Sequence, residues 1–159
     1  MTDPSSDKRF ALKFRQWEKV SDDLRSGERG QSVWCRLRRR ETLDQPSEEA
    51  DLLCEELGIN RLGEKWSEID AYGAENLLVR ILGKSLITDY WLMEPIEARA
   101  VAEHLFDTFQ MPRLYLTNVL SYDDEGITAW TPLSNSTFDA CVTIMDDQWV
   151  GILAIGERG

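Results

Sequence analysis

Apolar positions in this chain recur with a helical period as far as Pro112 and with a period of two beyond it. Phe10, Phe14, Trp17, Val20 and Leu24 follow one another at steps of four, three, three and four, which places them on one helix face. The polar residues ahead of Phe10 have the composition of a frayed end, so the reading is a disordered N-terminus over residues 1–9 and a single α+β domain over residues 10–159. Gly27 and Gly30 stop the first helix. Residues 32–40 fit two periods at once: Val33 and Leu37 suit a helical stripe, while Val33, Cys35 and Leu37 suit a strand face. Nine residues do not decide between helix and strand, and the segment is read on balance as a helix.

Pro46 suits a first helical turn, Glu48, Glu49 and Asp51 sit where the helix dipole favours negative charge, and Gly58 is a C-terminal stop, giving a helix over residues 46–57 with Leu53 and Leu57 inward. A central helix follows over residues 74–88, burying Leu77, Leu78, Ile81, Leu82 and Leu86, in which Gly83→Ala is expected to be mild or helpful. Another begins at Pro95 and runs to Phe109 on Ala98, Val101, Ala102, Leu105 and Phe106. Beyond Pro112 the residues from Leu114 to Val119 alternate, Asp123-Asp124-Glu125-Gly126 makes a turn, and Ile127 to Trp130 returns. Residues 138–145 and 149–155 flank Asp146-Asp147-Gln148 as a hairpin. The fold class is therefore α+β, with four to five helices followed by a small antiparallel sheet of three to four strands.

Charge sharpens this picture. Residues 1–40 hold eleven Lys/Arg against six Asp/Glu, residues 41–159 hold seven against twenty-three, and the whole carries −11. An acidic body repels nucleic acid and anionic lipid and attracts basic proteins. The run Arg36, Arg38, Arg39 and Arg40 beside Trp34 has the chemistry to grip phosphate. Inside an anionic chain, pairing with Glu48, Glu49 or Glu55 is the better expectation, so no direct nucleic-acid binding is expected. Cys35, Cys54 and Cys141 form no C-x-x-C or Cys/His cluster, which points away from a disulfide framework or a zinc site and towards the cytoplasm. The first ten residues lack a signal-peptide core, and no stretch approaches the roughly 18 apolar residues of a membrane span.

Candidate chemistry is sparse. Gly83-Lys84-Ser85 mimics the end of a phosphate-binding loop, but Leu78 stands where the first glycine belongs, and the triplet lies inside a helical pattern. His104 is the single histidine and has Asp107 three residues on, a spacing typical of a surface pair; it is given no role. Trp91, Trp130 and Trp149 lie at turns or in the sheet, where an exposed one would serve as a binding anchor. The acidic clusters remain. Asp123, Asp124, Glu125, Asp146 and Asp147, on turns of one small sheet, are the first candidates for a partner-binding surface, and the helical Glu48, Glu49, Glu55 and Glu56 the second. No catalytic residues, metal ligands, cofactor or membrane partner are expected, and no oligomeric state is read.

The segment Trp130-Thr131-Pro132-Leu133-Ser134-Asn135-Ser136-Thr137-Phe138-Asp139, with the hairpin through Ile144, Asp146-Asp147 and Gly151-Ile152-Leu153, resembles the end of small acidic bacterial proteins of the immunity type. Those proteins bind and neutralise a cognate toxin, often a nuclease. The likeness covers about the last thirty residues, and Gly156-Glu157-Arg158-Gly159 stands where further acidic residues would follow. It implies a stoichiometric protein inhibitor and transfers no binding residues; with the acidic charge balance, the reading is a non-enzymatic inhibitor of a basic, nucleic-acid-processing protein. A phage-encoded inhibitor of a host nucleic-acid defence system, of the anti-CRISPR kind, meets the same criteria. An acidic structural or scaffold subunit is the third reading.

Overall fold

The computed structural model describes residues 4–26, 29–41 and 45–159. Among them the chain is α+β, with four α-helices, a five-stranded antiparallel sheet and a two-stranded ribbon. Helix α1 spans Pro4–Ser26, so it opens ahead of Phe10, on a proline suited to a first turn. Trp17 and Leu24 are buried as the periodicity requires; the side chain of Phe10 and all of Gly27 lie outside the described residues.

Residues 32–40 are not a helix. They form strand β1, Gln31–Arg39, antiparallel to β7, Trp149–Glu157, in a register that runs from Gln31 opposite Glu157 to Arg39 opposite Trp149. Val33, Cys35 and Leu37 then share one face, and Trp34, Arg36 and Arg38 the other. Pairing with a strand well over a hundred residues away decided between the two periods. Helix α2, Pro46–Leu57, matches the expected bounds, and Gly58 closes it in the left-handed conformation at φ 75°.

Strand β2, Ser67–Ile69, comes next, and it too precedes the later helices. Helix α3, Ala71–Gly83, starts on Asp70, whose carboxylate accepts from Gly73 N at 2.7 Å. It stops five residues short of Thr88. The Gly83 carbonyl accepts from Leu92 N at 2.6 Å, Lys84 and Trp91 pair across an isolated bridge, and Leu86 N donates to the buried Glu157. Helix α4, Pro95–Phe106, ends three residues earlier than its apolar pattern. Strands β3 (Leu114–Thr117), β4 (Val119–Asp123), β5 (Gly126–Trp130) and β6 (Phe138–Met145) complete the set before β7.

The sheet order β1-β7-β6-β3-β2 places an early strand at each edge, so the helices do not all precede the sheet, and among the described residues the sheet has five strands rather than three or four, with β4 and β5 apart from it. Asn118 explains why β3 does not continue into β4. Its side chain is fully buried, donating to Thr131 O at 2.9 Å and Asp139 Oδ1 at 2.9 Å and accepting from Cys141 N at 2.8 Å. The chain therefore leaves the sheet there, and β4 and β5 pair only with each other.

Helices cover both faces of the sheet. On one face α1, α3 and α4 bury Trp17, Leu77, Leu78, Ile81, Leu82 and Leu105 against Val142, Ile144, Leu153 and Ile155. On the other, α2 and the 57–66 connection bury Leu53, Cys54, Ile59 and Trp66 against Cys141, Val150, Ile152 and Ala154. This is why β6 and β7 are continuous apolar runs, without the polar alternation of a half-solvated antiparallel sheet. Asp139 closes the loop between β5 and β6: its carboxylate accepts from Leu133 N, Ser134 N and Ser134 Oγ, each at 3.0 Å. Burial pushes this carboxyl above its ordinary pKa, and the donors from Leu133, Ser134 and Asn118 act in the opposite direction. Of the residues that carry the immunity-type resemblance, 131–137 are a loop clamped on one buried carboxylate, and the rest lie in β5 and in the β6–β7 hairpin.

Candidate functional site

The basic run and the acidic clusters meet each other first. Alternation along β1 points Arg36 and Arg38 to the α2 side, where both pair with Glu56; the Arg36 contact is 2.9 Å. Arg38 also pairs with Glu41 at 2.7 Å. Arg40 pairs with Glu49, which is only 2% exposed, and donates to Asp146 O at 2.7 Å. Arg39 lies 4.9 Å from the centre of the Trp149 ring. Of the second candidate set, Glu49 and Glu56 are committed to this network, Glu55 pairs with Arg61, and Glu48 is exposed.

The two turns differ from expectation in another way. They belong to different sheets, and one of their acidic residues is internal. Asp146 is buried: Oδ1 accepts from Gln148 N at 2.8 Å and Trp149 N at 2.7 Å, and Oδ2 from Gln110 N at 2.9 Å. An aspartate bonded to amides two and three residues onward holds a turn, and this one also ties the β6–β7 hairpin to Gln110 in the segment after α4. Asp147 is exposed. On the β4–β5 turn Asp123, Asp124 and Glu125 are all exposed, with Asp123 Oδ1 accepting from Glu125 N at 2.8 Å.

That second turn forms one wall of a groove of about 430 Å³. Tyr72, Asn76 and Arg80 of α3 line its floor, the Lys84–Trp91 bridge and Arg99 of α4 one side, and Tyr122, Asp123 and Asp124 the other. Arg80 Nη2 donates to Asp123 O at 2.7 Å and so docks the turn on the helix. Asp89 organises the interior. It accepts from Arg80 Nη1 at 2.9 Å and from Lys84 Nζ at 3.1 Å, in a left-handed backbone conformation at φ 59°. That conformation costs a residue with a β-carbon about 1 kcal/mol or more. Arg99 pairs with Glu75 at 2.7 Å.

The groove was not legible as a site. Of the three tryptophans considered, Trp91 is the exposed one at 44%, whereas Trp149 is buried and Trp130 half-buried. Tyr72 is 78% exposed and falls off the apolar stripe of α3, which was the available signal. Gly83-Lys84-Ser85 sits at the C-terminal end of α3, where Lys84 N and Ser85 N donate to Arg80 O and Tyr90 O, so these amides are not turned towards a phosphate. His104 is exposed on α4 beside Leu12, Lys13 and Asp107. Among the described residues no three His, Cys, Asp or Glu side chains are grouped to hold a metal, and no helix is long and apolar enough to cross a membrane. Burial pushes the Cys35 and Cys54 thiols up to about 12, and Cys141 upward as well, away from the reactive thiolate.

Comparison with protein-family models, with curated proteins and with solved structures found no match to this chain.

Proposed function

We infer that this chain is a non-enzymatic acidic inhibitor of the immunity type, which binds and neutralises a basic, nucleic-acid-processing protein in the cytoplasm. One observation carries the reading. Arg36, Arg38 and Arg40 are paired with Glu41, Glu49 and Glu56 of the same chain, Glu49 buried and the others partly exposed, while Asp123, Asp124, Glu125 and Asp147 stand in solvent. The surface offered to a partner is therefore more one-sided in charge than the composition alone conveys. Carboxylates on turns imitate the phosphates that a nuclease holds, and a charged face accelerates encounter with a basic protein.

Cross-linked capture from the source cell, followed by association kinetics at two salt concentrations, tests the reading. The expected partner is basic and nucleic-acid-processing, with an association rate that falls steeply as salt rises and falls again when Asp124, Glu125 and Asp147 are replaced by lysine. A neutral or acidic partner, or a rate indifferent to both changes, overturns it.

A further inference from the structure

The groove beside the β4–β5 turn holds three aromatic rings, and they differ in what already covers them. The Arg80 guanidinium lies 5.7 Å from the Tyr122 ring centre, and the Lys84 ammonium 4.9 Å from that of Trp91. Asp89 pairs with both cations, and Glu75 pairs with Arg99. The groove's own cations are therefore matched from within, and two of its rings are held in place. Tyr72 is arranged differently. It is exposed, and among the described residues no cation of the chain stacks on it. The Tyr122 hydroxyl reaches Gly73 O at 3.5 Å, which brings the hairpin alongside the start of α3, and Asp123 and Asp124, next in the chain, line the same groove as Tyr72.

An exposed aromatic ring and two carboxylates lining one groove have the chemistry that holds an ammonium or guanidinium group. Around it, exposed Trp91 and Ile96, the latter one helical turn before Arg99, supply the aromatic and aliphatic surface typical of interface anchors. A polyanion fits poorly, because its phosphates would meet Asp123 and Asp124 and find Arg80, Lys84 and Arg99 already engaged.

We propose that this groove docks a Lys- or Arg-bearing segment of a protein partner, with its cation on the Tyr72 ring facing Asp123 and Asp124 and its apolar flank on Trp91. This rests on the reading of the chain as a binder of a basic protein, and it names the surface and the chemistry recognised there.

An array of nine-residue peptides in three classes, Lys/Arg-bearing, Asp/Glu-bearing and neutral, is the first probe. Retained peptides are then titrated against wild type, Tyr72→Ala, Tyr72→Phe and Asp124→Lys. Wild type should retain peptides that place Lys or Arg beside an apolar residue. Tyr72→Ala and Asp124→Lys should each weaken them about tenfold, and Tyr72→Phe should stay within about twofold. Both altered side chains are exposed, so all variants should melt with the wild type. Equal binding by every variant, retention of acidic peptides in place of basic ones, or no retained peptide overturns the proposal. The captured partner separates this from the broader reading. If its association stays salt-sensitive and equally tight with Tyr72→Ala, the groove is wrong and the acidic inhibitor stands. If Tyr72→Ala and Asp124→Lys abolish association with a basic partner that does not process nucleic acid, the groove stands and the inhibitor reading is wrong.

Discussion

Gly83 lies directly beneath the Trp91 ring: a β-carbon on this residue would come 2.6 Å from Cζ3 and 2.8 Å from Cε3, with the Ala98 methyl 3.0 Å away. Helix propensity alone favours alanine here by about 1 kcal/mol. The contact reverses the sign, because the indole can move aside only by giving up its place over Lys84. Gly83→Ala should destabilise the protein by about 1–3 kcal/mol in urea denaturation. Combining it with Trp91→Leu should recover part of that loss; a Gly83→Ala protein as stable as wild type would show that the ring yields freely.

Leu78 and Ile81 are fully buried on the face of α3 that meets the sheet. An aspartate at either position would place an unpaired carboxylate where no cation reaches it, at a cost of several kcal/mol, comparable with the whole stability of a domain. Leu78→Asp and Ile81→Asp should abolish the cooperative thermal transition. A folded, cooperatively melting Ile81→Asp protein would remove α3 from the core.

Asp146 and Asp147 are neighbours with opposite roles, and substitution separates them. Asp146→Asn loses the charge that three backbone amides donate to and places its own NH2 among those donors, so it should cost about 1–3 kcal/mol of stability. Asp147→Lys should leave the melting temperature unchanged and slow association with a basic partner. Equal effects on stability from the two substitutions would contradict this division.

Glu49 is buried and takes its counter-charge from Arg40. Arg40→Ala leaves that carboxylate without a partner, and breaking one side of a buried pair costs about 3–5 kcal/mol. Glu49→Gln in the Arg40→Ala background should restore much of the loss, since a neutral amide is cheaper to bury. A double-mutant cycle on unfolding free energy checks the pair, and additive losses would mean the two residues act independently.

The thiols set an alkaline limit. Cys54 is held up to about 12 by burial, against an ordinary value of 9.0. Between these values the unfolded chain releases the proton that the folded chain keeps, so stability is fully present below pH 9 and declines as pH rises towards 12. Each thiol shifted this way lowers the folding equilibrium constant about tenfold per pH unit in that window. Cys54→Ala should make the decline shallower in denaturant titrations at pH 8 to 11. An unchanged slope would mean that the thiol ionises equally in both states.

The elements legible in the chain were those specified by neighbours in sequence. Pro46, the acidic first turn and Gly58 bound α2 without reference to any other part of the molecule, and the β6–β7 hairpin carries its own turn between β-branched arms. Trp91, Trp130 and Trp149 were recognisable as lying at turns or in the sheet, but which of them is exposed was not. Tertiary structure decided the rest. Val33, Cys35 and Leu37 satisfy two periods in so short a segment, and only pairing with β7 makes them one face of a strand. The apolar pattern of α3 runs on through Leu86, but Trp91 and the Leu92 amide occupy the space and the carbonyl that another turn would need. Asp146 and Asp147 are the same residue type in adjacent positions, and burial with bonds to the Gln110, Gln148 and Trp149 amides makes the first architectural, while the second stays in solvent. Local bonds can be read along a chain; which polar atoms end up inside depends on segments that meet only when the chain is folded.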